Sequence, residues 1–207
     1  MITEEKMNLN YVGFISMLKK YNCYTELLEN DIEFNTSLKT ASAFIREDSG
    51  GAYDGSLIEH IKQVAKYAFK INEMLNESVR ASIDSIVRVC YLQQISKALM
   101  IVKNDREYDI KNGRLYKFSN NVPSMKCGEL SLYLCNKYKI QLTDLEYEAI
   151  LAVDKPNDDQ IKFFGGVLSL IIRTANDLAV SERKYRNQGR FSCWCRVDNR
   201  LCTYSCS

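Results

Sequence analysis

The sequence predicts an all-α protein with one β-hairpin and a short cysteine-rich C-terminal tail. The 207-residue chain has only 2 prolines and 9 glycines, and a scarcity of these residues favours helices over turns. Apolar residues recur at steps of three and four over most of the chain, which is the period of an amphipathic helix. Four of the 8 cysteines follow residue 190, so the end of the chain differs in composition from the rest.

The length fits one domain with an appendage. We expect N-terminal helices over residues 1–46 that pack on the core, a helical domain over residues 47–186, and a tail over residues 187–207. The stretch EDSGGAYDGS at residues 47–56 marks the first boundary, because glycine and aspartate favour turns. The basic stretch ERKYRNQGR, residues 182–190, spans the second boundary and precedes the cysteines.

Charge and hydropathy exclude several classes of function. The net charge is +2, with 28 basic and 26 acidic residues, so nucleic acid is not an expected partner. The chain lacks a run of roughly 18 apolar residues that could span a membrane, and its N-terminus lacks the apolar segment of a signal peptide. We therefore expect a cytoplasmic protein with no membrane partner. The composition leaves the oligomeric state open, and a homo-oligomer is one option.

Helical periodicity predicts most elements in order. We expect helices over residues 9–20, 25–28, 37–45, 57–75, 82–102, 129–138, 143–155 and 158–184. Thr143 and Glu146 have the spacing of a capping box, and that helix should end before Pro156, because the residue before a proline avoids the α conformation.

A β-hairpin is predicted around Asn112 and Gly113. The pair lies between Tyr108 and Ile110 on one side and residues 115–118 on the other. Asn-Gly readily adopts the positive φ angles of a two-residue hairpin turn.

The polar residues of YLQQISKAL, residues 91–99, are unusual inside an otherwise apolar helix. Gln93 and Gln94 stand where a structural helix would carry apolar side chains, and Lys97 follows one turn later. His60, which is the single histidine, follows the glycine-rich loop GAYDGSLIEH. The late segment IIRTANDLAV carries Arg173 and Asn176.

In the order of these motifs, roughly residues 40 to 186 resemble the HD superfamily of metal-dependent phosphohydrolases, in particular small HD proteins of bacteriophages and bacteria. In that family, histidines and carboxylates hold divalent metals, which activate a water molecule for attack on a phosphoester. The resemblance places His60 on the first histidine, Gln93 and Gln94 on the His-Asp pair, and Asn176 on the late aspartate. Lys97 matches the family's lysine. Cys127 and the region of Val153 and Asp154 take the places of auxiliary histidines.

The resemblance therefore implies a site whose metal ligands have been replaced by neutral amides. We expect no metal cofactor there and no catalysis. The chain, encoded by a phage and acting in the host cytoplasm on this interpretation, would bind a nucleotide, a cyclic nucleotide or a protein partner. The amides and the imidazole would contact a base or sugar, and the cations would contact phosphate. The expected pocket consists of His60, Gln93, Gln94, Lys97, Arg173 and Asn176.

Two alternatives stay open. An active phosphohydrolase could use an altered ligand set in which Asp84 or Asp177 contributes a carboxylate. A purely structural protein would instead use His60 and the glutamines as ordinary core or surface residues, and Arg173 as part of a solvated face.

The tail has the pattern CxCx6Cx3C, and its four thiolates can bind a structural zinc ion in a tetrahedral arrangement. The alternative is a loosely packed tail with free thiols, since CxC is less usual than CxxC for zinc. Disulfides are not expected in the cytosol. Trp194 and Tyr204 could also stack on nucleic acid bases. The four cysteines are Cys193, Cys195, Cys202 and Cys206.

Overall fold

A computed structural model describes residues 2–153 and 165–187, together with the backbone of two short strands near the C-terminus. The helices are α1 (Glu4–Lys20), α2 (Glu26–Glu29), α3 (Ile32–Thr40), α4 (Ser56–Met74), α5 (Ile83–Leu92), α6 (Lys97–Met100), α7 (Glu107–Lys111), α8 (Cys127–Lys137), α9 (Asp144–Ala152) and α10 (Val167–Asn187). The strands are β1 (Ile101–Lys103), β2 (Tyr116–Phe118), β3 (Arg196–Val197) and β4 (Arg200–Leu201). This composition confirms the prediction of an all-α protein with a β-hairpin.

Helix α4 lies at the centre of the bundle, where it packs against α5 and α10. Its apolar positions form one buried face, as the sequence period predicts. That face is completed by His60, which is 0% exposed. The central helix also buries the polar side chains of Ser56 and Asn72 near its two ends. The buried apolar residues of α4 are Leu57, Ile58, Ile61, Val64, Ala65 and Ala68.

The N-terminal helices share the main core of the molecule. Phe14 and Leu18 of α1 and Phe34 and Leu38 of α3 belong to the same cluster of buried residues as Ile172 of α10. Residues 1–46 thus pack on the helical domain and do not form a separate core.

The predicted long helix over residues 82–102 is wrong in its second half. Helix α5 ends at Leu92, residues 93–96 form turns, and α6 and β1 follow. Tertiary hydrogen bonds compete with the helix here, because Ser131 Oγ donates to Gln93 O over 3.0 Å. The amide of Ser96 in turn donates to Ser131 Oγ over 3.3 Å. These bonds provide partners for backbone groups that a continuous helix would have satisfied internally.

The hairpin exists, but its first strand is not the one predicted. Strand β1 pairs antiparallel with β2, and Val102 lies opposite Lys117. The residues expected to form the first strand are helical and belong to α7. Gly113 has a φ of 75°, but it follows a helix end. A helix C-terminus and a hairpin turn both favour glycine at a positive φ, so the local signal does not separate them.

The remaining boundaries agree less evenly, and α1 begins at Glu4, about five residues before its predicted start. The capping box at α9 is present, with Thr143 Oγ1 accepting from the amide of Glu146 over 3.3 Å. Helix α3 begins and ends about five residues earlier than its predicted range, 37–45. In the part of the chain that the structure describes, every helix is too short or too polar to cross a bilayer.

Candidate functional site

Three of the predicted site residues meet inside the bundle. His60 Nε2 lies 3.2 Å from Asn176 Oδ1, and Gln94 Nε2 donates to the same oxygen over 2.7 Å. Helices α4 and α10 thus bring together residues that are 116 positions apart in the sequence. Gln93, the C-cap of α5, is also buried, at 0% exposure. We call His60, Gln93, Gln94 and Asn176 the amide cluster.

The turn after α5 places the two glutamines. Ser96 Oγ donates to the carbonyl oxygen of Cys127 over 2.7 Å, and Ser131 Oγ lies 2.9 Å from Ser96 Oγ. These two buried serines tie the turn to α8 and end the helical ladder at the amide cluster. Both glutamine side chains are therefore fixed by a buried turn and not by a regular helix face.

Four buried polar atoms of the amide cluster have no hydrogen-bond partner among the described residues. They are His60 Nδ1, Gln93 Nε2, Gln93 Oε1 and Gln94 Oε1. Most buried polar groups in folded proteins are paired, so each exception calls for an explanation. Leaving such a group unpaired costs about 1–3 kcal/mol. The cluster therefore retains hydrogen-bonding capacity that the described part of the chain does not use.

The imidazole of His60 is neutral at physiological pH. Burial lowers its pKa from 6.5 to about 3, and the positive charges of Lys97 and Arg183 act in the same direction, while the hydrogen bond with Asn176 opposes them. Because Asn176 Oδ1 can only accept, His60 carries its proton on Nε2 in this arrangement. Its Nδ1 then presents a lone pair.

Lys97 lies at the start of α6, beside the amide cluster. Its Nζ donates to the carbonyl oxygen of Ala43 over 3.1 Å and lies 5.4 Å from the centre of the Phe44 ring. The same ring packs edge-on against His60, with 5.2 Å between the ring centres. Phe44 therefore contacts the buried histidine on one side and a cation on the other.

A cleft of about 580 Å³ opens next to Phe44 and Lys97. Arg46 and Lys126 add two more cations to its wall, and Asp48 is its one carboxylate among the described residues. Asp48 is already paired with Arg46, at 3.3 Å. The balance of charge in the cleft favours an anionic ligand. The apolar part of the wall is formed by Phe44, Ile45, Met100, Ile101 and Phe118.

Among the arginines of α10, Arg183 is the one whose charge acts on His60. Arg183 Nη1 donates to Tyr53 Oη over 3.0 Å, and Tyr53 Oη donates to Glu59 over 2.7 Å. Arg173 is half-buried, and its side chain makes no hydrogen bond or ion pair within residues 2–153 and 165–187.

The donor atoms of the amide cluster do not fit a divalent metal. One neutral imidazole and three amides supply no negative charge, whereas Mg, Mn, Fe and Zn sites rely on carboxylates, thiolates or several imidazoles. Lys97 and Arg183 also create a positive potential at His60, which repels a cation. Asp84 and Asp177, the carboxylates that could rescue a metal site, are both exposed. Within the described ranges, no group of three or more His, Cys, Asp and Glu side chains is arranged to hold a metal ion.

Several residues of this region were missed by sequence reasoning. Phe44, Gly51, Arg183, Ser96 and Ser131 all contribute to the site, but none forms a motif by itself. The four tail cysteines lie outside the described residues. Cys127, which lines the cleft, has its Sγ 3.2 Å from Ser96 Oγ.

No protein-family model, no curated protein and no solved structure matches this chain. The resemblance to the HD superfamily therefore stays a prediction from the order and spacing of its motifs.

Proposed function

We propose that this chain is a catalytically inactive HD-like protein that binds an anionic small molecule, a nucleotide or a cyclic nucleotide. The ligand enters the cleft beside Phe44 and Lys97. The protein acts in the cytoplasm, and in the host cytoplasm if a phage encodes it.

The observation that supports this proposal most is the amide cluster with its unpartnered atoms. Amides occupy the positions that resemble the metal ligands of a hydrolase, so the polar volume is retained without its negative charge. Four hydrogen-bonding atoms there have no partner in the described chain. A protein that needed only a stable core would lose these atoms to apolar side chains, because unpaired buried polar groups reduce stability.

The cations around the cleft support an anionic ligand. Lys97, Arg46 and Lys126 face one cleft, and Arg183 acts on the amide cluster from α10. Phosphate oxygens form strong, charge-assisted hydrogen bonds with such groups. The amide and imidazole groups then suit the neutral base or sugar of a nucleotide.

The test is ligand binding by the full chain. Mono-, di- and triphosphate nucleotides, cyclic nucleotides and inorganic phosphate are titrated by calorimetry and by thermal unfolding. A ligand that binds only the native state stabilises it by about 2.7 kcal/mol at a concentration 100-fold above its Kd. We expect a nucleotide to raise the melting temperature and to remain unhydrolysed.

Charge-reversal variants locate the binding site. Arg46→Glu and Lys126→Glu change exposed cleft residues and should weaken nucleotide binding by tenfold or more, about 1.4 kcal/mol. Lys70→Glu is the matched control, since Lys70 is exposed on α4 and does not line the cleft. Absence of binding by every nucleotide, equal weakening in the control, or turnover that requires His60 would each contradict the proposal.

A further inference from the structure

The aromatic ring of Phe44 contacts both the buried His60 and the cation of Lys97. The Phe44 ring packs edge-on against His60, with 5.2 Å between the two ring centres. Lys97 Nζ lies 5.4 Å from the centre of the Phe44 ring. Phe44 lines the open cleft, whereas His60 behind it is fully buried. The ring is therefore the boundary between the cleft and the amide cluster.

Gly51 provides the space for this ring. A Cβ atom at Gly51 would lie 2.4 Å from Phe44 Cδ2 and 3.0 Å from the Cδ of Arg183. Such distances are too short for non-bonded carbon atoms, so any side chain at this position would displace the ring. The backbone thus leaves room for a flat group between Gly51 and His60.

The Phe44 ring contacts His60, but it does not satisfy the unpartnered atoms of the amide cluster. His60 Nδ1 and both polar atoms of the Gln93 amide are unpartnered among the described residues. A phenyl ring has no hydrogen-bond donor or acceptor to offer them. A heteroaromatic ring of similar size presents N–H, carbonyl or ring-nitrogen groups on its edge.

We propose that the position of the Phe44 ring is a subsite for a planar heteroaromatic ring of the ligand, which displaces Phe44 on binding. This inference rests on the proposed function and names the part of the nucleotide that reaches the amide cluster, namely the base. The unpartnered atoms of His60, Gln93 and Gln94 pair with the edge of the base. Lys97 covers its face as it covers Phe44, by a cation–π contact.

The displacement of Phe44 makes a quantitative prediction for nucleotide binding. A ligand that binds only an open minor state shows an apparent affinity reduced by the population of that state. Phe44→Ala removes the competing ring, so it should tighten nucleotide binding by about tenfold or more. Gly51→Ala places a Cβ atom in the same space, so it should weaken nucleotide binding.

Small ring probes identify the chemistry of the subsite. In Phe44→Ala, adenine and 2-pyridone should raise the melting temperature clearly more than benzene does, because only the heterocycles satisfy the buried polar atoms. Phe14→Ala is the matched control, since Phe14 is 0% exposed and stacks on Tyr91 at 5.1 Å within the apolar core. An apolar cavity of that kind binds benzene, so benzene should be the better probe there.

Several results would overturn the subsite. Equal stabilisation of Phe44→Ala by benzene and the heterocycles, or no stabilisation by any of them, would do so. Phe44→Val, which leaves a smaller space, is the second variant if the alanine form does not fold. Nucleotide binding by the unmodified protein without any effect of Phe44→Ala would retain the proposed function and reject the subsite alone.

Discussion

Two polar groups lie inside the helical bundle: the Arg88–Glu146 ion pair and the amide cluster. The hydrogen-bonding atoms of the ion pair have partners, whereas several of those in the amide cluster do not. Arg88 Nε donates to Glu146 Oε1 over 3.0 Å, and Nη1 donates to the carbonyl oxygen of Tyr21 over 2.8 Å. Nη2 donates to the carbonyl oxygen of Gln141. The second oxygen of Glu146 accepts from the amide of Thr143 over 3.0 Å. None of the unpartnered buried atoms of the described chain belongs to this ion pair.

On the proposed function, this difference separates a structural network from a ligand-binding one. Arg88 connects α5 to the end of α1 and to the segment that precedes α9, so its satisfied network fixes the relative positions of these helices. The amide cluster connects α4, α5 and α10 but keeps unused donors and acceptors. Fully satisfied buried networks make a core rigid, whereas partly satisfied ones reduce its stability. We interpret that reduction as the consequence of keeping a ligand site.

The largest expected effect is the loss of stability when the Arg88–Glu146 ion pair is broken. Arg88→Ala should destabilise the protein by about 3–5 kcal/mol, because it leaves the carboxylate of Glu146 buried without its partner. Glu146 has only 3% of its side chain exposed, so solvent cannot compensate. Urea unfolding measures the change.

A double variant serves as the control for this prediction. Arg88→Met with Glu146→Leu replaces both charges by apolar groups and should recover most of the lost stability. A loss below about 1 kcal/mol in Arg88→Ala would show that the ion pair behaves like an exposed one.

The next effect is the pH dependence that His60 contributes. Its pKa is about 3 in the folded protein and 6.5 when unperturbed. Between these values the unfolded state binds more protons than the folded state, so stability falls as the pH is lowered through this range. The slope approaches about 1.4 kcal/mol per pH unit for one such group.

His60→Gln isolates this contribution, because it removes the titrating imidazole and retains a hydrogen-bond donor for Asn176. The stability of the unmodified protein minus that of the variant is measured by urea unfolding across the range. Parallel pH profiles for the two proteins would mean that His60 titrates normally and is not shielded as described.

The smallest expected effect is an increase in stability, and it tests the difference between the amide cluster and the ion pair. Gln93→Met exchanges an unpartnered buried amide for an apolar side chain of similar length. It should stabilise the protein by about 1–2 kcal/mol, since it removes the cost of burying two unpaired polar atoms. The same change should weaken nucleotide binding. Gln94→Met is the internal comparison, because it breaks the bond with Asn176 and should not stabilise.

Local signals in the sequence were sufficient for most of the helices. The apolar period of α4 and the capping box of α9 each lie within a few residues and give the correct elements. The end of α5 could not be found in this way, because the turn at residues 93–96 depends on Ser131, a partner 38 positions after Gln93. The hairpin was assigned to the wrong first strand for a related reason: β1 is recognised only through its pairing with β2.

The residues of the candidate site could be predicted together only through the resemblance to the HD superfamily. The pairing of His60 with Asn176 spans 116 positions, and neither residue carries a local signal of the other. Phe44 and Gly51 were missed because a phenylalanine and a glycine are common in any core or loop. Their proposed role rests on the contact of the ring with His60 and on the close approach of the ring to Gly51.

The most direct test of the binding account is nitrogen NMR of His60, which is the single histidine of the chain and therefore gives an unambiguous signal. We predict a neutral imidazole with its proton on Nε2 from neutral pH down toward 3. Addition of a nucleotide should then shift the Nδ1 resonance, as its lone pair accepts a hydrogen bond. The account would be contradicted by an imidazole that titrates near 6.5 and whose nitrogen resonances do not shift with any nucleotide.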